Sequence, residues 1–284
     1  MNNNNIYYCF NGLFYKYDKN VLKIDNRALS YGDAFFETIF VSKKNIMFLD
    51  KHFDRILNTC DILKFKLPYF FTKEYIETKI IDLLNRNKSF VGTRIKILFF
   101  RDSSGLYTPD NNNVSFIIFS SKLDSYKFLY NKKGLFIDVY SDIKKPVNIL
   151  SNLKTTNTLL NILSGIYKKK NNIDDVILLN QDGFVCEGIS SNIFLVKNNI
   201  LYTPMLEDGC VRGIMRENII DIALSNKITV IDDAHINLSD IENADEIFFT
   251  NAIQGIRWVL AYKHKRYYND ISKDLFNKLN SYIN

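Results

Sequence analysis

DDVILLNQDGFVCEGISSNIFLVKNNILYTP, from Asp174 to Pro204, decides how this chain folds. It holds four strand-length apolar runs: DVILLN (175–180), GFVCE (183–187), NIFLV (192–196) and ILYTP (200–204). Asn180-Gln181-Asp182-Gly183 separates the first two and is a strong hairpin signal, because Asp-Gly takes up the positive φ angles that tight turns need. Lys197-Asn198-Asn199 forms a second turn between the last two. Strands joined by hairpins, in a chain that also contains helices, predict two α+β domains rather than a single doubly wound parallel sheet.

The pattern continues outward in both directions. Upstream, GLFIDVY (134–140) reads as a strand, a loop leads to Lys154, and 155–169 reads as a helix. Downstream, a helix begins near Ile214, and ITVID (228–232) and EIFFT (246–250) read as strands. The N-terminal half carries strand-like runs in YYCFNGLFYK, FFETIFV (35–41), IMFL (46–49), RIKILFF (94–100) and VSFIIFS (114–120). Helix-like runs follow Asp50 and Thr72, with Asp50 the expected N-cap of KHFDRILNTCDIL. SSKLDSYKF (120–128) is polar between two apolar blocks and marks a boundary, giving domains 1–121 and 122–284. No internal repeat is visible, and Asn2 to Asn5 read as a frayed end.

A chain of 284 residues is long enough for about two domains. Its 46% hydrophobic and 24% charged content is that of a soluble globular enzyme. The net charge of +6, from 37 basic and 31 acidic residues, is mild and dispersed. No basic stripe interleaved with aromatics is present, which argues against nucleic-acid binding. Cys9, Cys60, Cys186 and Cys210 are too widely spaced for a C-x-x-C metal or redox pair and read as reduced thiols, so no metal is expected. The N-terminus lacks the regions of a signal peptide, and no apolar run reaches the roughly 18 residues of a membrane helix. A cytoplasmic protein without membrane association is expected.

Lys154 stands out in SNLKTTNTLLNIL (151–163), between Leu153 and the polar triplet Thr155-Thr156-Asn157, at the edge of an apolar run. Such a lysine is either a stem lying along the surface with its amine in water, or a desolvated amine able to attack an aldehyde. The second reading points to pyridoxal phosphate (PLP), which needs three further supports. One is a carboxylate for the pyridine nitrogen, and Glu187 in GFVCEGISSNIF is the candidate, against an exposed strand-end glutamate. Another is a cup of backbone N–H groups for the phosphate. Gly213 in GCVRGIMRENIIDIAL precedes a helix whose first amides, on Ile214 and Met215, attract an anion, and Asn251 in FFTNAIQGI is a second donor. The third is a cation. Arg55 lies opposite the apolar positions Phe53, Ile56, Leu57 and Cys60 of its helix, one turn after His52, so it is either solvated or turned into a polar pocket. In SYGDAFFETIFV, Glu37 shares a strand face with Phe35, Ile39 and Val41. It either pairs with an arginine or acts near an active-site amine. Tyr31, Phe36, Glu37 and Thr38 are candidate substrate-pocket residues.

Six segments, in order, resemble the fold-type IV PLP enzymes, the class IV aminotransferase family: NRALSYGDAFFET, HFDRI, LKTTNTL, the block 174–204, GCVRGIMRENI and DEIFFTNAIQGI. Together they run from about Asn26 to Val259. That family includes branched-chain aminotransferases, D-amino-acid aminotransferases and aminodeoxychorismate lyases. The resemblance implies an α+β, two-domain fold like that of D-amino-acid aminotransferase, and a homodimer acting on a small amino substrate. It implies that Lys154 is the Schiff-base lysine and proton shuttle, that Glu187 pairs with the pyridine nitrogen, and that Arg55, the Ile214 and Met215 amides and Asn251 bind the phosphate. Val211 would pack on the ring face and Asn157 would hold the ring hydroxyl.

Within the family, RDSSGLYTPD (101–110) has Leu106 and Thr108 where D-amino-acid enzymes carry an arginine and a histidine. AFFETIF, TTNTLL and FFTNAIQGI depart from the branched-chain patterns. NRALSYGD-x-FFET, Asn157 three residues after the lysine and TNAIQGI are closer to aminodeoxychorismate lyases, which release p-aminobenzoate and pyruvate. A lyase is therefore the leading expectation. A branched-chain aminotransferase using 2-oxoglutarate is the alternative, and a non-catalytic homologue or binding module is the remote one.

Overall fold

The computed structural model describes residues 6–283, so the end expected to fray at Asn2–Asn5 lies outside the described residues. Contacts divide the chain into two units. One is Met1–Lys127 with Lys154–Asn157, and the other is Phe128–Leu153 with Thr158–Asn284. Each has its own sheet, as the hairpin-rich sequence predicts.

The first unit is built on β1 (Tyr7–Phe10), β2 (Leu13–Lys16), β3 (Ala34–Ser42), β4 (Asn45–Ile46), β5 (Gly92–Arg101) and β6 (Val114–Leu123). Their order is β2-β1-β6-β5-β3-β4, and every pairing is antiparallel. The helices are α1 (Arg27–Tyr31), α2 (Leu49–Ile62) and α3 (Lys73–Asn87). Alternation along β3 and β5 turns Phe35, Ile39, Ile95, Ile97 and Phe99 to one face, where they pack with Ile56 and Cys60 of α2 and Ile76, Ile80 and Leu83 of α3. Phe99 stacks on Phe35 at 4.6 Å and meets Phe71 edge-on at 5.5 Å.

Two local expectations change here. YYCFNGLFYK is two strands around Asn11-Gly12, both at positive φ, the Asn-Gly turn that a single-strand reading passed over. In IMFL only Ile46 is in a strand. Phe48 takes a left-handed conformation at φ 56° and starts α2 at Leu49. Asp50 is therefore not the N-cap. It lies in the first helical turn, where its charge suits the helix dipole, and it pairs with Lys73 at 2.5 Å.

The second unit contains β7 (Leu135–Lys145), α4 (Leu159–Lys170), β8 (Asp175–Asn180), β9 (Val185–Gly188), β10 (Asn192–Lys197), β11 (Ile200–Pro204), α5 (Ile214–Ser225), β12 (Val230–Ala234), α6 (Leu238–Asn243), β13 (Glu246–Asn251), β14 (Gly255–Tyr262), β15 (Lys265–Arg266) and α7 (Asp270–Ser281). The sheet runs β12-β11-β10-β13-β14-β7-β8-β9, with β15 on β14. β9 also lies against β10 and β11, so the path curls back on itself. The pairs β11/β12, β14/β7 and β7/β8 are parallel, and the two hairpins read from 174–204 are antiparallel.

The helix expected over 155–169 begins only at Leu159. Residues 154–156 instead run alongside the start of β3. Phe36 donates its N–H to the Lys154 carbonyl at 3.0 Å, Thr155 bridges Phe35, and Thr156 donates to the Ala34 carbonyl at 3.0 Å. Two consecutive β-branched threonines beside open strand backbone favour that extended pairing over a helical turn.

Among the described residues, no helix is long and apolar enough to cross a membrane, and no group of three or more His, Cys, Asp or Glu side chains could hold a metal ion.

Candidate active site

In the first unit, strand alternation separates two sets of side chains. Glu37 faces α2 and is buried. Arg55 donates from Nε to Glu37 Oε1 at 2.7 Å and from Nη2 to Oε2 at 2.6 Å, while His52 Nδ1 lies 2.7 Å from Oε2. Burial pushes the Glu37 carboxyl up, but the Arg55 guanidinium and the His52 hydrogen bond outweigh it and hold the pKa at about 2. For His52 burial is the largest influence and lowers the pKa. The ring is neutral near pH 7, and because a carboxylate only accepts, Nδ1 carries the hydrogen.

Arg55 is thus neither solvated nor opposite the buried face. The buried stripe of α2 is Leu49, His52, Arg55, Ile56, Thr59 and Cys60, and Leu57 points outward. The apolar positions alone put the stripe about one residue out of phase, because its centre is a charged residue whose partner lies 18 positions earlier.

On the other face of β3 stand Phe36 and Thr38. Lys154, half-buried, places Nζ 4.7 Å from the centroid of the Phe36 ring. Lys96 of β5 sits over the same ring at the same distance. Its pKa is lowered, first by burial and then by Arg94. Lys96 was missed in the sequence, although it alternates with the core residues Ile95 and Ile97 and so must face away from them. Asn157 is exposed and donates to the Gly32 carbonyl at 3.4 Å. Tyr31 packs on Tyr107 at 5.6 Å and beneath Arg27 at 5.0 Å. Arg27 also donates to the carbonyls of Gly105 and Leu106, and Asp33 accepts from both Arg27 and Arg101, so the loop that carries Leu106 and Thr108 is clamped at its base and tip.

In the second unit Glu187 is the third residue of the four-residue β9, buried to 5% exposure. Lys145 Nζ stands 2.5 Å from Oε1, and Oε2 accepts the Val211 N–H at 2.9 Å. Burial works against the Lys145 charge, but Glu187 outweighs it and raises the pKa, so Lys145 carries its charge at neutral pH. The exposed strand-end alternative for Glu187 is excluded.

Nearby, Asn192 donates to the Val211 carbonyl at 2.8 Å. Gly213 precedes α5 with no side-chain cap, and a Cβ there would fall 1.8 Å from Asn192 Oδ1. The hydroxyls of Ser191, beside Asn192, and of Thr250, opposite it on β13, are buried and have no hydrogen-bond partner among the described residues. Ile214 and Met215 are the first residues of α5. Asn251 shapes the β13–β14 turn: its Oδ1 accepts from Ile253 and Gln254, and its Nδ2 donates to Gln254 Oε1 at 3.1 Å.

The pattern of the amino-transferase class IV family matches residues 34–262. The chain belongs to this family. It is a PLP-dependent enzyme. Among class IV relatives, it is 28% identical over 247 residues to a putative branched-chain-amino-acid aminotransferase of Methanocaldococcus jannaschii, covering 87% of this chain and 84% of the relative. It is 29% identical over 228 residues to branched-chain-amino-acid aminotransferase-like protein 2 of Arabidopsis thaliana, covering 78% of this chain but only 40% of that longer protein. In fold it is similar to the branched-chain amino acid aminotransferase of Thermobaculum terrenum in its PLP form, with a TM-score of 0.85 and 20% identity over 99% of this chain and 94% of the other. It is also similar to a putative 4-amino-4-deoxychorismate lyase of Legionella pneumophila, with a TM-score of 0.83 and 26% identity over 93% of this chain and 96% of the other.

Proposed function

We propose that this class IV enzyme is a 4-amino-4-deoxychorismate lyase that forms p-aminobenzoate and pyruvate. The observation that carries the reading is the pair of amines over Phe36. The two products each hold one carboxylate, so the substrate holds two. Lys96 is a partly desolvated cation suited to a carboxylate beyond the one every amino-acid substrate carries. Leucine, isoleucine and valine carry one carboxylate and an apolar chain and gain nothing from it, whereas the 2-oxoglutarate of the alternative reaction would use it, so the two substrate assays decide. The likeness to the Legionella protein supports the same reading.

The residues present fit the cofactor. The uncapped start of α5, the close approach enforced at Gly213 and the orphaned hydroxyls of Ser191 and Thr250 suit a phosphate dianion. Glu187, buried and paired with Lys145, suits a protonated pyridine nitrogen. We assign Ile214, Met215 and Asn251 to the phosphate, Val211 to the ring face, Asn157 to the ring hydroxyl, and Lys154 to the aldehyde carbon. Arg55 is the phosphate cation of this reading, with Glu37 orienting its guanidinium.

Bound PLP supplies an electrophilic carbon and a ring that withdraws electrons from the substrate α-carbon. The chain's own contribution is proton traffic at Lys154 Nζ, which takes the α-proton. Glu187 would keep the proton of the pyridine nitrogen in place, and Lys96 would orient the second carboxylate so that the enolpyruvyl oxygen leaves the carbon next to the deprotonated one, giving pyruvate and an aromatic ring.

Two assays test the reading: p-aminobenzoate and pyruvate from aminodeoxychorismate, and transamination of branched-chain amino acids with 2-oxoglutarate, compared as kcat/KM. The lyase value should be the higher, and Lys96→Met should lower it about tenfold or more, as expected for loss of a charge-assisted hydrogen bond. Branched-chain transamination without p-aminobenzoate would establish the alternative, which the names of the curated relatives favour.

A further inference from the structure

We infer that Asn152 is a positioning residue for this reaction, fixing the carboxylate of Glu187 through the Val211 amide. The inference rests on the proposed roles of Glu187 and Lys154. The segment from Lys145 to Lys154 begins at the amine paired with Glu187 and ends at the lysine assigned to the cofactor. Asn152 ties this segment to a distant one. Its side-chain amide donates to the carbonyls of Leu206 and Cys210, both at 2.7 Å, and its own carbonyl accepts the Arg212 N–H at 3.1 Å. Those three groups bracket Val211, whose N–H holds Glu187 Oε2.

Shape reinforces the contact. Gly209 takes φ +88°, and a Cβ there would approach Ser151 Cβ to 3.3 Å and the Pro146 carbonyl to 3.4 Å, so the two segments pack nearly backbone to backbone. Ser151 stiffens its side of the contact by donating to the Pro146 carbonyl and accepting from the Asn148 amide. Only a side chain with two hydrogens on one nitrogen can serve both carbonyls at once, so asparagine is required for its NH2 group and not for its volume. The Glu187 carboxylate is thus aimed by Lys145 on one oxygen and, through Val211, by Asn152 on the other.

The test uses full-length Asn152→Asp, which keeps the shape but has no donor, and Asn152→Ala, which decides by the same readouts should the first not fold. In the cofactor-free protein, amide exchange at Val211 and Arg212 should quicken about tenfold, the scale of one to two lost hydrogen bonds, while the β3–β5 ladder is unchanged. In the loaded enzyme, kcat should fall about tenfold to a hundredfold, as for a displaced catalytic group, with KM nearly constant and the pH midpoint of the visible band shifted. A variant that only melts earlier, with wild-type exchange at Val211, band midpoint and kcat, overturns the inference. If the wild type itself gives no visible band and no borohydride adduct on Lys154, the functional reading has failed instead, and amide exchange alone then decides whether Asn152 holds the Val211 amide.

Discussion

Glu37 and Glu187 are both buried carboxylates paired with cations, yet they are built differently. Glu37 has both oxygens taken by side chains of a single helix, α2, so its network fastens that helix to β3. Glu187 is held by one amine from β7 and one backbone amide from the segment before α5. Removing the first carboxylate leaves two buried side chains of α2 behind, whereas the second is a carboxylate whose proposed role lies with a ligand. Stability should therefore depend on both pairs, and turnover most strongly on Glu187.

The largest expected effect lies outside both pairs. Lys154→Ala should lose turnover on the order of 10⁴-fold, the upper range for a lost acid–base group. Borohydride followed by mass spectrometry should place the reduced adduct on Lys154, and an adduct on another lysine would reassign the site. Next comes Glu37→Gln, which leaves Arg55 buried without its counter-charge. Breaking a buried pair in this way costs about 3–5 kcal/mol. A large drop in denaturation midpoint is expected, and a midpoint equal to wild type would show that the network is not what fastens α2.

The same pair sets the acid limit. Glu37 is held at about 2, below its ordinary 4.5, so its stabilisation is complete above pH 4.5 and is lost as pH falls from there through about 2. His52 is also depressed, chiefly by burial, so its part is present above its ordinary 6.5 and starts to decline below that value. Urea midpoints measured from pH 7 down to pH 3 should fall in two stages, with the lower stage missing in Glu37→Gln. A single stage in both proteins would refute the assignment.

Glu187→Gln should differ from Glu37→Gln in its effect on turnover. It replaces a charge-assisted hydrogen bond worth about 1.5–3 kcal/mol, so α-proton exchange should slow by one to two powers of ten, in addition to the loss of stability expected from leaving the buried Lys145 without its counter-charge. Near-wild-type exchange would remove Glu187 from the reaction.

How far these residues could be read in sequence depends on what each one needs. The hairpins of 174–204 were legible because turn chemistry is local. Lys154 and Glu187 stood out in the sequence because each is a charge at the edge of an apolar run, but the local pattern left each open, and their roles came from the family resemblance. Arg55 was open because helical periodicity says where a side chain lies, not what stands across from it. The start of α4 and the cap of α2 were misread because pairing with β3 and the left-handed Phe48 override local preference. Lys145 and Asn152 were invisible, since their partners lie tens of residues away, and for Lys96 the alternation with Ile95 and Ile97 shows its face but not its partner across the sheet.

The smallest expected effect separates two roles of Asn251. Its Oδ1 accepts from the Ile253 and Gln254 amides and so makes the β13–β14 turn, while the proposed phosphate contact would use Nδ2. Asn251→Ala removes both. Losing the turn bonds costs about 1 kcal/mol, a fall of roughly 2–4 °C in Tm for a chain of this class. Asn251→Asp keeps an acceptor for the two amides, so its Tm should stay near wild type. It also removes the donor and places a negative charge where the dianion is proposed to bind, so PLP affinity should fall about tenfold or more, from the lost hydrogen bond and the added repulsion. Wild-type PLP affinity in Asn251→Asp would leave Asn251 as a turn residue alone, and the phosphate would then rest on the start of α5 with Ser191 and Thr250.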